Sequence, residues 1–450
     1  MKQQTLILLL LLCVNLTFSQ EAKVYNFTLQ EAINFATDSA YANINAQKDV
    51  AIALKRKWET TADGLPQISG QVNYENNPKL TVTPLPAEIV GGEPGTTVPV
   101  TFGQRHNMRA TGTVNQLIFD GSYIVALQAA KTFLEYSANA KEKTAFEVRK
   151  NVITAYGNVL LAKNSIEITQ NNLNEALDNL NETRQIYENG LAEEEDVEQL
   201  QITSQQLKSQ LRNAERMYNI AKESLNMVLG IDVSVEVILE DTLENLAAKE
   251  AMLQAETQDF NFENTIDYKI AKNLVEQRDL ELKLQKSQAL PSLSAFANYG
   301  ATSFGNQFEF FESGTDWFEF ATIGVSLNVP IFSSFKRDAQ TQQAKIELEK
   351  AKLQRKQTIN QIQLDLNAAQ SDFDFAVENY TIAQKNLNLA ERIQHKNEVK
   401  FKEGLASSFE LRQAQTQLYQ AQNEYLQAML NLINTKAELE KVKNTPLQSN

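Results

Sequence analysis

The sequence predicts a mainly α protein with a membrane β part, in which one helix-strand-strand-helix-helix repeat occurs twice. Three observations lead to this fold class. Large and small residues alternate on a seven-residue period in two long stretches, and four segments alternate apolar with polar residues as strands do. Only 9 prolines and 16 glycines interrupt the 450 residues. Unusually long helices are therefore expected.

The first residues are typical of an export signal. Lys2 precedes an apolar run from Leu6 to Val14, which is too short to span a bilayer as a helix. Residues 1–20 are therefore predicted to form a cleavable signal peptide. The single cysteine, Cys13, lies inside this segment, so the mature chain would hold none. This excludes disulfides, thiolate metal sites and cysteine nucleophiles.

The first repeat is predicted over residues 21–230. It opens with a helix from about Leu29 to Ala62, for which Thr28 is the candidate N-cap and Glu31 the reciprocal acid of a capping box. The elements that follow are a strand pair over residues 65–119, a long helix over 122–189 and a returning helix over 194–229.

The long helix carries the seven-residue pattern, which we call the seam. Its large positions are Val152, Val159, Ile166, Leu173, Leu180 and Tyr187, and its small positions are Ala155, Ala162, Thr169, Ala176 and Thr183. A seam sustained over about five heptads specifies long helices packed side by side, because small residues let the helix axes approach closely. The pattern does not indicate a pocket for chemistry.

The second repeat is predicted over residues 264–443. Its elements are a helix, a strand pair over residues 290–332, a long helix over 333–402 and a returning helix over 408–442. The seam returns in this long helix, with its large positions at Leu366, Phe373, Tyr380, Leu387, Gln394 and Phe401. Residues 231–263 are predicted to form an irregular equatorial belt segment outside the helices, and residues 444–450 a C-terminal tail.

The strand segments have one apolar and one polar face, most clearly where Ile323, Val325 and Leu327 alternate with polar or small residues. Residues 75–107 and 300–316, between the strands of each pair, are predicted to be exposed loops. Such strands fit either hairpins of a soluble domain or transmembrane strands, and the aliphatic faces and predicted export favour the membrane. Four strands cannot close a barrel, so two, three or four chains would pool about 8, 12 or 16 strands.

The composition excludes several functional classes. The net charge of -14 argues against nucleic acid as a partner, because binding it requires a basic surface. The two histidines, His106 and His395, lie far apart in the sequence, and no ligand spacing, glycine-rich loop or nucleophile elbow accompanies them. We therefore expect no enzymatic activity, no metal site and no cofactor.

Matching motifs stand at corresponding points of the two repeats. They are residues 115–121 (Asn-Gln-Leu-Ile-Phe-Asp-Gly) and 328–334 (Asn-Val-Pro-Ile-Phe-Ser-Ser), and the helix reversals at 187–191 (Tyr-Glu-Asn-Gly-Leu) and 401–405 (Phe-Lys-Glu-Gly-Leu). With the signal peptide and the duplicated order of elements, they make the chain resemble the TolC-type outer-membrane efflux channel family. The resemblance covers essentially the whole mature chain.

The resemblance implies a homotrimer in the cell outer membrane, surrounded there by lipid. Twelve strands would form one β-barrel, continued by a twelve-helix α-barrel that extends into the periplasm. It implies the passive exit duct of a tripartite efflux or type I secretion system, fed by a periplasmic membrane-fusion adaptor and an inner-membrane pump of the RND, ABC or MFS type. The alternative from another class is a periplasmic or surface coiled-coil scaffold that does not conduct.

The two helix reversals are the predicted docking tips. Glycine at the end of a helix is typical of a left-handed C-terminal cap. The resemblance implies that these turns lie at the periplasmic end, where exposed leucines beside the caps would contact the adaptor. The predicted docking residues are Tyr187, Gly190, Leu191, Phe401, Gly404 and Leu405.

Acidic residues follow each reversal. Asp196 and Glu410 match each other in the two repeats, and the resemblance implies acidic rings near this point that form a periplasmic gate favouring cations. A simple solvated helix face is the alternative. Arg184, Lys402 and Arg412 are candidates for ion pairs that hold the gate closed, although exposed ion pairs are weak and most such charges are ordinary solvated residues.

Overall fold

The computed structural model describes residues 24–252 and 260–444. The predicted signal peptide, residues 1–20, lies outside these ranges, as do residues 445–450 of the predicted tail. The predicted fold class is confirmed, because long helices and paired strands occur in a duplicated order. The chain separates into two compact units. The sheet unit holds Val50–Ser137 and Ala271–Arg355, and the helical unit holds the remaining described residues.

The elements are numbered in chain order. The strands and helices are β1 (Tyr25–Phe27), α1 (Leu29–Ser39), α2 (Tyr41–Ala62), β2 (Gln67–Asn76), β3 (Val82–Pro86), β4 (Thr97–Thr101), β5 (His106–Phe119), α3 (Gly121–Glu188), α4 (Glu194–Leu229), β6 (Val237–Leu239), α5 (Leu243–Met252), α6 (Ile266–Ser287), β7 (Ser292–Gly305), β8 (Phe318–Asn328), α7 (Lys336–Lys402) and α8 (Ser408–Lys443).

The sheet unit contains one antiparallel sheet in the order β2-β5-β7-β8. Its register aligns the alternating patterns of all four strands, so most aliphatic residues share one face and most polar residues share the other. One row of register partners crosses the sheet as Ile68, Val114, Ala297 and Ile323, and the adjacent row crosses it as Ser69, Thr113, Asn298 and Thr322. Because neighbouring residues of a strand point to opposite sides, the sheet has one apolar and one polar face.

The apolar face of this sheet is exposed on its two edge strands, whereas Met108 on β5, nearer the hairpin loop, is buried. Ile68 and Ile323 expose 80% and 87% of their surfaces. Strands β2 and β8 are the two edges, and within the described chain neither has a second neighbour. An exposed apolar face between two unpaired edges is typical of a surface that a partner or an apolar medium covers.

Two details of the sheet unit differ from the prediction. Residues 75–107 are not only a loop, because β3 and β4 form a second hairpin there, joined through a 3-10 turn at Ala87–Val90. Pro84 and Pro99 are register partners in this hairpin. Proline usually indicates a loop in a sequence, but it is tolerated in a two-stranded edge hairpin, so these strands were predicted as a loop. Strand β7 also extends to Gly305, into the second predicted loop.

The helical unit is built around the seam. Large seam residues such as Val152 and Phe373 expose at most 2% of their surfaces, and the small residues Ala176 and Ala376 at most 1%. The first part of the seam in α3, from Val152 to Val159, belongs to one core with residues of α8 such as Leu432, and Leu173 and Ala176 belong to a separate cluster with residues of α4. None of the helices in the described ranges combines the length and apolar character that crossing a bilayer requires.

The helix expected from Leu29 to Ala62 is two helices, α1 and α2. The Thr28–Glu31 capping box is present, but Ala40 is extended, with φ -60° and ψ 130°. Ser39 ends α1, and its hydroxyl donates to the carbonyl oxygen of Leu229 on α4. The side-chain amide of Asn43 donates to the carbonyl oxygen of Thr37, which a continuous helix would pair with the N–H of Tyr41, so a local side chain competes with the helical backbone at the break.

The belt segment 231–263 is more regular than predicted. Strand β6 pairs in parallel with β1, and α5 follows it, while residues 253–259 lie outside the described ranges. The fully buried Tyr156 of α3 places its hydroxyl 2.9 Å from Asp241 Oδ2 and 3.0 Å from the carbonyl oxygen of Phe27. Strands of three residues are too short to produce a recognisable alternation, which is why this pairing was not predicted.

Candidate functional site

The two helix reversals, which we call the tips, have the same backbone geometry. Gly190 and Gly404 have φ values of 76° and 71°. The N–H of Gly190 donates to the Tyr187 carbonyl at 2.8 Å, and that of Gly404 donates to the Phe401 carbonyl at 3.0 Å. In each copy the backbone N–H of the leucine that follows the glycine donates to the carbonyl oxygen of the residue before Tyr187 or Phe401. Together the two hydrogen bonds form a Schellman cap.

The tips present apolar side chains to solvent. Leu191 and Leu405 expose 80% and 78% of their surfaces, Tyr187 is also exposed, and Phe401 is half-buried. A leucine in this position of a Schellman cap frequently packs on its own helix. Here both leucines project from the turns, so the repeats end in two equivalent apolar knobs.

Asp196 and Glu410 have a structural role at the starts of α4 and α8. The backbone N–H of Glu193 donates to Asp196 Oδ2 at 3.3 Å, and that of Ser407 donates to Glu410 Oε2 at 2.9 Å. The hydrogen bonds from the Ser407 backbone and hydroxyl lower the pKa of Glu410. Helix capping thus accounts for the matched positions of these acids, and the gate ring stays a prediction.

Side chains of the two tips also contact each other. The Ser408 hydroxyl donates to the Asp196 carboxylate, and the Arg412 guanidinium donates to the side-chain oxygen of Gln199. The Arg412 guanidinium also lies 5.4 Å from the centre of the Phe409 ring. The first turns of α4 and α8 are therefore joined by polar contacts that neither repeat contains alone.

The other two predicted ion-pair residues have different surroundings. Lys402 Nζ lies 2.8 Å from Glu398 Oε1 on the same helix, and this hydrogen bond raises the pKa of Lys402 and lowers that of Glu398. Arg184 is exposed and, within the described chain, forms no ion pair. In this arrangement none of the three cations is paired with either predicted gate acid.

A buried polar cluster lies between α3, α7 and α8 in the helical unit. Gln394 donates to the Glu175 carboxylate and to Glu398 Oε2, and Gln415 approaches Glu175 from α8. Burial raises the pKa of Glu175, and Glu398 raises it further. Burial also raises the pKa of Tyr419. The sequence carries one signal of this cluster, which is glutamine at a large seam position, but it did not identify the partners.

The described residues contain no cluster of three or more histidine, cysteine, aspartate or glutamate side chains that could hold a metal ion.

Comparison with known proteins gives one family and several similar structures. The family model described as outer membrane efflux protein matches residues 45–231 and 263–445. Curated protein sequences contain no match.

Solved structures share the fold at low sequence identity. The outer membrane protein VceC of Vibrio cholerae is 15% identical, with 93% of this chain and 97% of that chain covered and a TM-score of 0.69. The Campylobacter jejuni CmeC outer membrane channel is 14% identical, with 92% and 85% covered and a TM-score of 0.71. The open state of the Neisseria gonorrhoeae MtrE outer membrane channel is 15% identical, with 92% and 88% covered and a TM-score of 0.67.

Proposed function

The chain belongs to the outer membrane efflux protein family and is an outer-membrane exit duct, and on that premise we propose that three copies conduct cargo passively from a periplasmic adaptor and an inner-membrane pump to the exterior. The observation that carries the proposal is the four-stranded sheet, which has an exposed apolar face and two open edges. Unpaired backbone groups in lipid cost several kcal/mol each, so both edges must be paired.

Three copies satisfy this requirement by pairing β8 of one chain with β2 of the next. The closed sheet would hold about 12 strands, a size found among membrane barrels. Its apolar face would contact lipid and its polar face would line a water-filled path. The long helices α3 and α7, each about 100 Å at 1.5 Å per residue, would continue that path through the periplasm.

We propose that the tips bind the adaptor. Leu191 and Leu405 are exposed, equivalent and held on rigid caps, so they can fill apolar pockets between the helices of a partner without first becoming ordered. Six such knobs per trimer would provide a repeated contact surface. The adjacent acids would then lie at the entrance.

The proposal is tested on the purified mature protein. We expect a trimer in detergent that resists dissociation until heated, and steady conductance after its addition to a planar lipid bilayer. A water-soluble monomer without conductance would refute the exit duct and support the non-conducting scaffold.

Replacing Leu405 by glutamate tests the docking role. We expect Leu405→Glu to assemble and conduct normally but to lose export in cells, because a charged knob weakens a buried apolar contact by more than about 2 kcal/mol. Leu405→Met is the matched control, since it keeps an apolar side chain of similar volume, and it should export normally. Normal export by an assembled Leu405→Glu trimer would refute docking at this tip.

A further inference from the structure

Arg109 is the basic residue on the polar face of the sheet. Its register partners are Asn73 on β2 and Thr302 on β7. Within the four strands, the other polar-face positions are uncharged except for Glu75, which lies closer to the hairpin loop. Glu319 belongs to the opposite face, where it is the partner of Ala301. Each chain therefore carries one positive charge among neutral side chains over most of this face.

The guanidinium group of Arg109 is held in place by contacts with β7 and β8, the next two strands of the sheet on one side of β5. Arg109 Nε donates to Thr302 Oγ1 at 3.2 Å, and the guanidinium carbon lies 5.3 Å from the centre of the Phe320 ring on β8. A cation over an aromatic face is attracted to it, and stacking leaves the outer edge of the guanidinium available to solutes.

A glycine makes room for this stacking. A Cβ atom on Gly300 would lie 2.9 Å from Phe320 Cζ and 2.3 Å from the carbonyl oxygen of Ala110, so the ring lies where a side chain would otherwise stand. The sheet thus has a site at which Gly300, Phe320 and Thr302 together position one cation. This arrangement differs from a mobile surface arginine.

Arg109 forms no ion pair with an acid among the described residues. Across residues 24–252 and 260–444, no carboxylate lies within 4.0 Å of its nitrogens. Thr302 accepts one hydrogen bond, and the terminal amino groups retain donors in the planar arrangement that matches carboxylate and phosphate oxygens. The group is therefore suited to transient contact with an anion.

We propose that Arg109 determines the ion selectivity of the outer part of the duct, where three guanidinium groups, one from each chain, form a positive ring that favours inorganic anions and solutes bearing carboxylate or phosphate. The inference rests on the proposed function, in which the polar face lines the path. It opposes the acidic character of the chain as a whole, whose net charge is -14. A ring of like charges lining a pore sets its charge preference.

The test is the permeability ratio of potassium to chloride, obtained from reversal potentials across planar bilayers under a KCl gradient. We expect Arg109→Gln to raise this ratio at least about twofold near 0.1 M salt and less near 1 M, because the screening length falls from about 10 Å to 3 Å. Arg109→Lys keeps the charge and should stay near the wild type. Arg109→Thr, a second neutral variant suited to a strand, should behave as Arg109→Gln does.

Arg105→Gln is the matched control. It removes the same charge from the same hairpin, but Arg105 precedes β5 and its Nε contacts Asn76 Oδ1 at 3.4 Å. The permeability ratio of potassium to chloride in Arg105→Gln should stay near that of the wild type. Conducting Arg109→Gln and Arg109→Thr channels with the wild-type ratio would overturn the inference and leave the exit duct intact. A wild-type trimer that does not conduct would overturn the proposed function and the inference with it.

Discussion

Asp196 and Glu410 illustrate how one side chain serves structure and function at the residue scale. Each accepts a hydrogen bond from a backbone N–H at the start of a helix, so each would be retained in a protein with no gate at all. Their matched positions in the two repeats therefore do not demonstrate a ring. Only a substitution that removes the negative charge but keeps the cap can separate the capping role from the gate role.

Glu410→Gln makes that separation. Glutamine also occupies this position of a capping box, so the thermal midpoint of the trimer should stay within about 2 °C of the wild type. If three Glu410 carboxylates line the entrance, the permeability ratio of potassium to chloride should fall, which is opposite in direction to the effect expected for Arg109→Gln. An unchanged ratio in a conducting variant would contradict the gate ring.

Burial of the charged Glu175 carboxylate lowers the stability of the folded protein at neutral pH. Its pKa in the folded protein is raised above the ordinary value of 4.5 by burial and then by Glu398. A group that binds its proton more tightly when folded contributes its full stability below about pH 4.5, and this contribution declines as the pH rises. Hydrogen bonds from Gln415 and Gln394, and the charge of Lys402, oppose this rise in the pKa only partly.

Glu175→Gln should therefore stabilise the helices at pH 7 and have little effect at pH 4.5. The amide keeps an oxygen that can accept from Gln394, while no charge is buried. The measurement is the thermal midpoint of the trimer in detergent at both pH values, followed by circular dichroism. Glu167→Gln, which removes an exposed acid from the same helix, is the control. Equal midpoints of Glu175→Gln and the wild type at pH 7 would contradict the cost of burial.

At the element scale, the seam changes character along the helical unit. Around Val152 and Phe373 it is apolar and fully buried. Closer to the tip of α3 it includes Thr183, and Asn179 lies beside the seam residue Leu180. Both side chains are buried, and Thr183 Oγ1 and Asn179 Nδ2 have no hydrogen-bond partner among the described residues. Unsatisfied buried groups cost about 1–3 kcal/mol each, so the helices are held together less strongly near the tips.

Ala176→Leu tests whether the small seam positions set the distance between helices. Ala176 is fully buried against Leu173, Leu207 and Leu211. The larger side chain should reduce the free energy of unfolding by about 1–3 kcal/mol, because it forces α3 away from α4. Ala138→Leu, at an exposed position of the same helix, should change stability by less than about 0.5 kcal/mol. A similar thermal midpoint for both variants would contradict the seam as a spacing device.

At the scale of the whole molecule, the sheet is what makes one chain incomplete. The four strands bring most of their aliphatic residues to one face, and among the described residues neither edge strand has a second neighbour, while Ile68 and Ile323 on that face are exposed. The incompleteness of the sheet therefore argues for assembly in lipid.

Ile323→Lys tests the orientation of the sheet. Ile323 lies in the middle of β8 on the apolar face, and a lysine there should cost about 2–4 kcal/mol if it faces the centre of a bilayer. The amount of folded trimer in the outer membrane should fall accordingly. Thr322→Lys changes the adjacent residue on the polar face and should insert normally. Equal insertion of the two variants would contradict a lipid-facing apolar surface.

The features that could be predicted are those that repeat along the chain. The seam, the strand alternation and the glycine caps at Gly190 and Gly404 are local patterns, because side-chain direction follows the period of a helix or strand. The break at Ala40 and the hairpin of β3 and β4 could not be predicted. In the first, the side chain of Asn43 takes a backbone acceptor that a continuous helix would use, and in the second, proline occupies strand positions where it usually signals a loop.

The sequence by itself determined that this protein is a duplicated array of long helices with four amphipathic strands and two matching helix reversals. Only the tertiary structure decided which distant residues meet. It joined β1 to β6, placed Ser408 on Asp196, and brought Phe320 across Gly300 to Arg109. The physical reason is that periodicity fixes the direction of a side chain on its own element, whereas its neighbours depend on the register and packing of elements far apart in the chain.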